Sequence, residues 1–249
     1  MAKLGTFCNE CCFYNSDKKE CKHGLIDVFE KRGSTIEWSD DGPAIDRVCR
    51  YRRTDEWNEG LSIEEKSKLV EDEVFLSGSI VLLVKDVDNL KDTLIKLKES
   101  SNNNFKFVIS HECKLSEVLD IVKEVDIHAC FVKSLSENTS NEKRVFDTLK
   151  SLNNGYIFIF NCSKQIDYTV FDKVHHFTNK LMHRLLHIEP VDDGLHQSVS
   201  MAHLYKWLNG DMTETFSNKL KNIANEESSD PQVFNWKEVN ETYQRSYKS

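Results

Sequence analysis

At 249 residues, 39% hydrophobic and 30% charged, the chain is long enough for one sizeable core and a small appendage. A net charge of −8 lacks the excess of Lys and Arg that a grip on nucleic acid requires, so no nucleic-acid partner is expected. No run approaches the ~18 apolar residues of a membrane span, and the start, MAKLGTFCNE, has no apolar segment behind its lysine. The expectation is therefore no membrane partner, no secretion by a signal peptide, and synthesis in a reducing cytoplasm.

Cysteine usage stands out first along the chain. Of eight cysteines, Cys8, Cys11, Cys12, Cys21 and Cys49 crowd the beginning, while Cys113, Cys130 and Cys162 are scattered through apolar segments. Clustered thiols in a reducing compartment read as metal ligands. Cys8 and Cys11 stand at CxxC spacing, which lets one turn present two thiolates to a single ion. Cys21 and Cys49 supply a second, split pair. Cys12 competes with Cys11, and His23 is chemically able to replace a thiolate. Residues 1–57 hold few large aliphatics, so the expectation is a metal-stapled module. Structural zinc contributes on the order of 10 kcal/mol to the folding of such modules. Zinc is the expected cofactor and an iron–sulfur cluster the second choice. Asp40, Asp41, Gly42 and Pro43 predict a turn between two extended pieces. Arg47, Arg50, Arg52 and Arg53 form a basic patch that would offset the −2 charge of a tetrathiolate.

From residue 79 the pattern alternates. Strands are predicted at SIVLLV (79–84), FKFVIS (105–110), ACFV (129–132) and YIFIF (156–160). Between them, Leu90, Leu94 and Leu97, then Leu115, Val118, Leu119 and Val122, then Val145, Phe146, Leu149 and Leu152 recur at helical spacing. Such alternation predicts an α/β fold with right-handed crossovers and a mainly parallel sheet flanked by helices. Ligands of such sheets sit beyond the carboxyl ends of the strands. Those ends carry Lys85, Asp86, His111, Glu112, Lys133, Asn161 and Ser163.

Helices are expected beyond the sheet: one with Val170, Val174, Phe177 and Leu181 on a stripe, one marked by Met201, Leu204 and Leu208, and one over roughly 213–224. On the first, His183 and His187 would share a face at i and i+4, although Arg184 stands where a zinc protease carries glutamate. IEPVDDGL reads as a solvated turn between helices, and 225–249 as a polar, aromatic-dotted arm. The expected division is 1–57, 75–224 and 225–249.

The order of pieces from 79 to about 180 resembles the nucleotide-sugar glycosyltransferases of family 2, which have the GT-A fold. SIVLLVKD stands as the first strand and FKFVISHE as the second. NEKRVFDTLKSLNNGYIFIFNCS stands as the helix, the glycine step and the strand that ends in an Asp-x-Asp motif. The resemblance implies a nucleotide-sugar site at Asp86, Glu112, Asn161 and Ser163, and a catalytic base near Glu189, Asp192 or Asp193. At the motif itself stands Asn161-Cys162-Ser163, which lacks the carboxylates that a hard divalent cation wants. Asp167 is the nearest substitute acid. The layout as a whole is similar to glycosyltransferase-like virion proteins of contractile-tailed bacteriophages. That likeness implies a structural protein of a tail or baseplate, partnered by virion proteins or its own copies and assembled in a host cytoplasm. An active metal-independent transferase and a sugar- or nucleotide-binding module are the alternatives.

Overall fold

The computed structural model describes residues 6–31, 33–47, 49–127, 130–134, 149, 152, 155–180, 185–192, 195–202, 204, 216–227 and 233–246. It divides into two compact units, Met1–Phe75 with His176–His183, and Leu76–His175 with Arg184–Ser249.

In the first unit, β1 (Thr6–Phe7) leads into a single 3-10 turn at Cys8–Glu10. Then follow β2 (Tyr14–Asn15), β3 (Glu20–Cys21), α1 (Leu25–Lys31), β4 (Ile36–Ser39), β5 (Gly42–Ile45) and α2 (Ile63–Val74). β4 and β5 pair antiparallel across the expected Asp40-Asp41 turn, and β1 adds to β5. β2 and β3 make a separate two-stranded ribbon. The unit reaches beyond residue 57 for a physical reason. Its core of Phe13, Leu25, Ile26, Phe29, Ile45 and Tyr51 is completed by Val70 and Val74 of α2. That helix starts on a capping box: Ser62 Oγ accepts from the Glu65 N–H, and the Glu65 carboxylate accepts from the Ser62 N–H at 2.9 Å.

The second unit contains β6 (Gly78–Val84), α3 (Leu90–Ser100), β7 (Phe105–His111), α4 (Leu115–Val125), β8 (Cys130–Ser134), β9 (Tyr156–Asn161) and α5 (Val170–His175). It continues with β10 (His187–Ile188), β11 (Ser198–Met201), α6 (Phe216–Glu227), β12 (Val233–Phe234) and α7 (Trp236–Ser246). Seven strands form one sheet in the order β12-β10-β11-β9-β6-β7-β8. β8, β7, β6 and β9 are mutually parallel, and β11 runs antiparallel to both β9 and β10. The result is a mixed α/β unit with a mainly parallel sheet flanked by helices, consistent with the GT-A-like layout. Val81, Val108, Ile157 and Ile159 face one core with Leu186 and Leu220. The alternate residues Ile80, Leu82, Phe158 and Phe160 are also buried. Both sheet faces are therefore covered, which is why these strands read as unbroken apolar runs.

Several expectations change here. Met201 ends a strand instead of marking a helix, because its backbone pairs with Tyr156. Leu208 lies outside the described residues, as do Val145, Phe146 and His183. His187 is a strand residue paired with Ser200, so the helical His183/His187 face does not form. The stretch IEPVDDGL joins two antiparallel strands, not two helices. The 225–249 arm folds back: Val233–Phe234 pairs parallel with His187–Ile188, and Val239 of α7 is fully buried. Among the described residues no helix is long and apolar enough to cross a membrane.

Candidate functional site

The parallel register brings the expected site residues to one edge. Val84 is level with His111, and Leu83 with Asn161, so β7, β6 and β9 end side by side. Glu112 N–H donates to Val84 O and Cys162 N–H to Leu83 O, both at 3.0 Å, extending the ladder past the strands. Asp86 and Glu112 leave the sheet next to each other as exposed acids. Asp86 also receives the Asp88 N–H at 3.4 Å.

At the motif position, the side chains are turned to local work. Asn161 Oδ1 accepts from the Ser163 N–H at 3.0 Å, closing a small turn. Burial, reinforced by Asp86, pushes the Cys162 thiol up to about 12, which leaves it a protonated, poor ligand at neutral pH. Asp167 is no substitute: its carboxylate accepts from Thr169 N–H at 3.0 Å, Thr169 Oγ1 at 2.6 Å and Lys173 Nζ at 2.5 Å. Burial works against its charge, but the hydrogen bonds from Lys173 and Thr169 outweigh that and hold its pKa below the usual value. The divalent cation that a GT-A fold implies does not fit these residues. Glu189 is bound to Lys221, and Asp192 stands 3.5 Å from Lys164. Asp193 lies outside the described residues.

The loop between β10 and β11 adds a residue the sequence did not single out for this edge. His196 Nδ1 accepts the Asn161 N–H at 3.1 Å, and its Nε2 reaches Gln165 O at 3.1 Å. The first contact fixes Nδ1 as an acceptor, so Nε2 carries the proton and the ring is neutral. Burial lowers its pKa accordingly. No local spacing announces this residue, because it arrives through a strand that crosses back.

His187 is buried with Nδ1 2.6 Å from Ser200 Oγ, and burial pulls its pKa down to about 4. The folded value lies below the ordinary ~6.5. The neutral ring therefore favours the fold fully above that pH, and the benefit is lost as pH falls from 6.5 toward 4. The expected loss is about 3 kcal/mol, followed by urea unfolding across that window. A His187→Asn variant should flatten the dependence; an unchanged slope would refute the assignment.

In the first unit, four of the five clustered cysteines border one small cavity. Thr6, Cys8, Cys11, Cys21, His23 and Cys49 are among the residues lining a cavity of about 20 Å³. The 3-10 turn places Cys11 N–H on Cys8 O at 2.9 Å. Thr6 Oγ1 donates to Arg47 O and accepts the Cys49 N–H, each at 2.8 Å, which carries Cys49 back toward β1. Cys12 does not line the cavity; its N–H donates to Arg53 O at 2.8 Å. Burial, with the neighbouring cysteines adding, pushes the Cys8 thiol up to about 12 and Cys49 up to about 11. Burial raises Cys21 as well, while the backbone N–H groups of Leu25, His23 and Gly24 work the other way on Cys21, and those of Tyr51 and Arg52 on Cys49. The basic patch is largely engaged within the unit: Arg52 pairs with Glu10, Arg53 with Glu73 at 2.5 Å, and Arg50 with Asn179 at 2.5 Å. Among the described residues, no three His, Cys, Asp or Glu side chains stand gathered as they would around a bound ion.

No known family profile matches the sequence, and no curated protein matches it. The solved structures that are similar at low level include the following two. Staphylococcus aureus TarS 1–349 shares 13% identity over 57% of this chain and 55% of that one, with a TM-score of 0.40. A protein from Desulfovibrio desulfuricans G20, described as a nucleotide-diphospho-sugar transferase, shares 9% identity over 64% and 80%, with a TM-score of 0.35. The chain spans about half the length of the TarS fragment. Neither likeness carries weight for function, and the fold stands on the sheet order itself.

Proposed function

We propose that this chain is an assembly protein that works through protein contacts, built on a glycosyltransferase-like domain without metal-dependent transfer chemistry. The observation that carries the reading is the end of β9. There Asn161 caps its own turn, Cys162 is a half-buried thiol held protonated, and Asp167 is consumed by Lys173 and Thr169. A cation bridging a leaving diphosphate needs anionic oxygens that this edge does not offer. A phage tail or baseplate, with virion proteins or further copies as partners, is the setting drawn from the resemblance in layout.

One observation favours a second reading. Asp86 and Glu112 emerge together at adjacent strand ends, where acids are able to accept hydrogen bonds from a nucleotide base or a sugar hydroxyl. Calorimetric titration with UDP and UDP-sugars, with and without Mn²⁺, separates the two. The assembly reading expects no heat and no turnover. Binding without turnover would favour retained recognition, and Mn²⁺-strengthened binding with release of UDP would overturn the proposal.

A further inference from the structure

We propose that Cys8, Cys11, Cys21 and Cys49 bind one zinc ion as four thiolates, with Cys12 excluded and His23 packed beside the ion as a wall residue. Two features point there. The four thiols come from separate segments, the 3-10 turn, β3 and the loop after β5, yet line one cavity of about 20 Å³, the scale of a single small occupant. Two of them sit in turns of the same kind. Gly24 N–H donates to Cys21 O at 2.8 Å and Arg52 N–H to Cys49 O at 3.3 Å, while further N–H groups of each turn point at the sulfur. Gly24 takes φ +64°, the left-handed conformation that lets the first of these turns close. N–H donors aimed at sulfur stabilise a thiolate and orient it, as hydrogen bonds around metal sites do.

The competitors are placed otherwise. Cys12 is not among the residues lining the cavity and lies near Asp55 and Lys66. His23 lines the cavity, but its ring lies 4.8 Å from Phe13 on one side and 4.8 Å from Tyr51 on the other. Its Nδ1 stands 3.4 Å from the Glu71 carboxylate. Closing on an ion requires the four thiols to turn inward from the wall. Binding exchanges four S–H bonds for four Zn–S bonds and releases four protons, leaving a complex of charge −2. Arg52, which lines the cavity and favours the Cys8 thiolate, offsets part of that charge.

The test uses the full chain, purified without metal-affinity steps. Elemental analysis should find about one zinc per chain in the native protein and in Cys12→Ser, and under about half in Cys49→Ser. Cobalt exchanged into the native protein should give a thiolate-to-metal charge-transfer band with four-sulfur intensity, which decides the matter even if Cys49→Ser fails to fold. Less than half an equivalent of zinc in the native protein would overturn the proposal. So would iron with acid-labile sulfide, metal loss in Cys12→Ser, or a three-sulfur band that rises to no fourth ligand but His23.

Discussion

Gly155→Ala should lower the stability of the second unit by about 4 kcal/mol, with urea unfolding followed by circular dichroism as the measurement. Gly155 has φ +77°, which an alanine occupies at a cost of ~1–2 kcal/mol. The added methyl would also lie 2.2 Å from Ser77 O and 3.0 Å from the Gly78 Cα. Both obstacles are backbone, so no side chain can swing away. Ser77 O is already engaged, accepting the Tyr156 N–H at 3.0 Å, and Gly155 O accepts the Ala202 N–H at 2.9 Å. Moving either chain therefore breaks the first rungs between β6 and β9 or between β9 and β11. A loss under about 1 kcal/mol would show that the strand starts are not this close.

Phe158→Ala should cost about 3–5 kcal/mol, while Phe158→Leu costs less than about 2. The ring is fully buried at the centre of β9 and meets three others. Phe171 lies at 4.6 Å, Phe105 at 5.3 Å edge-on and Phe160 at 6.4 Å nearly parallel. Truncation removes the burial and the contacts of an aromatic cluster that ties β9 to β7 and α5. The two variants should differ in near-ultraviolet circular dichroism as well as in urea midpoint. Equal losses for both would mean that the cavity collapses and that ring geometry contributes little.

What was legible in the sequence follows from which forces act locally. The β6, β7 and β9 strands announce themselves because both of their faces are buried, so every residue from Ile157 to Phe160 is apolar. The β10 and β11 strands do not, because His187–Ile188 and Ser198–Met201 are too short for any period and owe their conformation to pairing with each other and, respectively, with β12 and β9. The histidines at 183 and 187 fit a helical spacing by coincidence. Two helices were missed despite a local signal. Ser62-x-x-Glu65 and Asn235-x-x-Glu238 each form reciprocal capping bonds, the latter with Glu238 N–H to Asn235 Oδ1 at 3.0 Å. Their bodies are polar enough to pass for solvated chain. At the sheet edge the candidate residues Asp86, Glu112, Asn161 and Ser163 do come together, since strand ends are fixed once the strands are. Pairwise occupancy is not legible: that Asp167 belongs to Lys173, or that His196 supports Asn161, depends on loops whose course the sequence does not encode locally. The choice between adjacent Cys11 and Cys12 likewise turns on which way one turn of backbone rolls.

The reversed β11 strand also decides how one edge of the sheet is guarded. Ile188 meets Val199 across a short loop, so β10 and β11 form a local hairpin that lays Ser198–Met201 along β9. The outer side of β10 is covered by Val233–Phe234, which comes from much further along the chain. Without that two-residue strand β10 would be an open edge whose backbone groups invite a strand from a neighbouring molecule. Two residues of β12 therefore stand between this side of the sheet and edge-to-edge association.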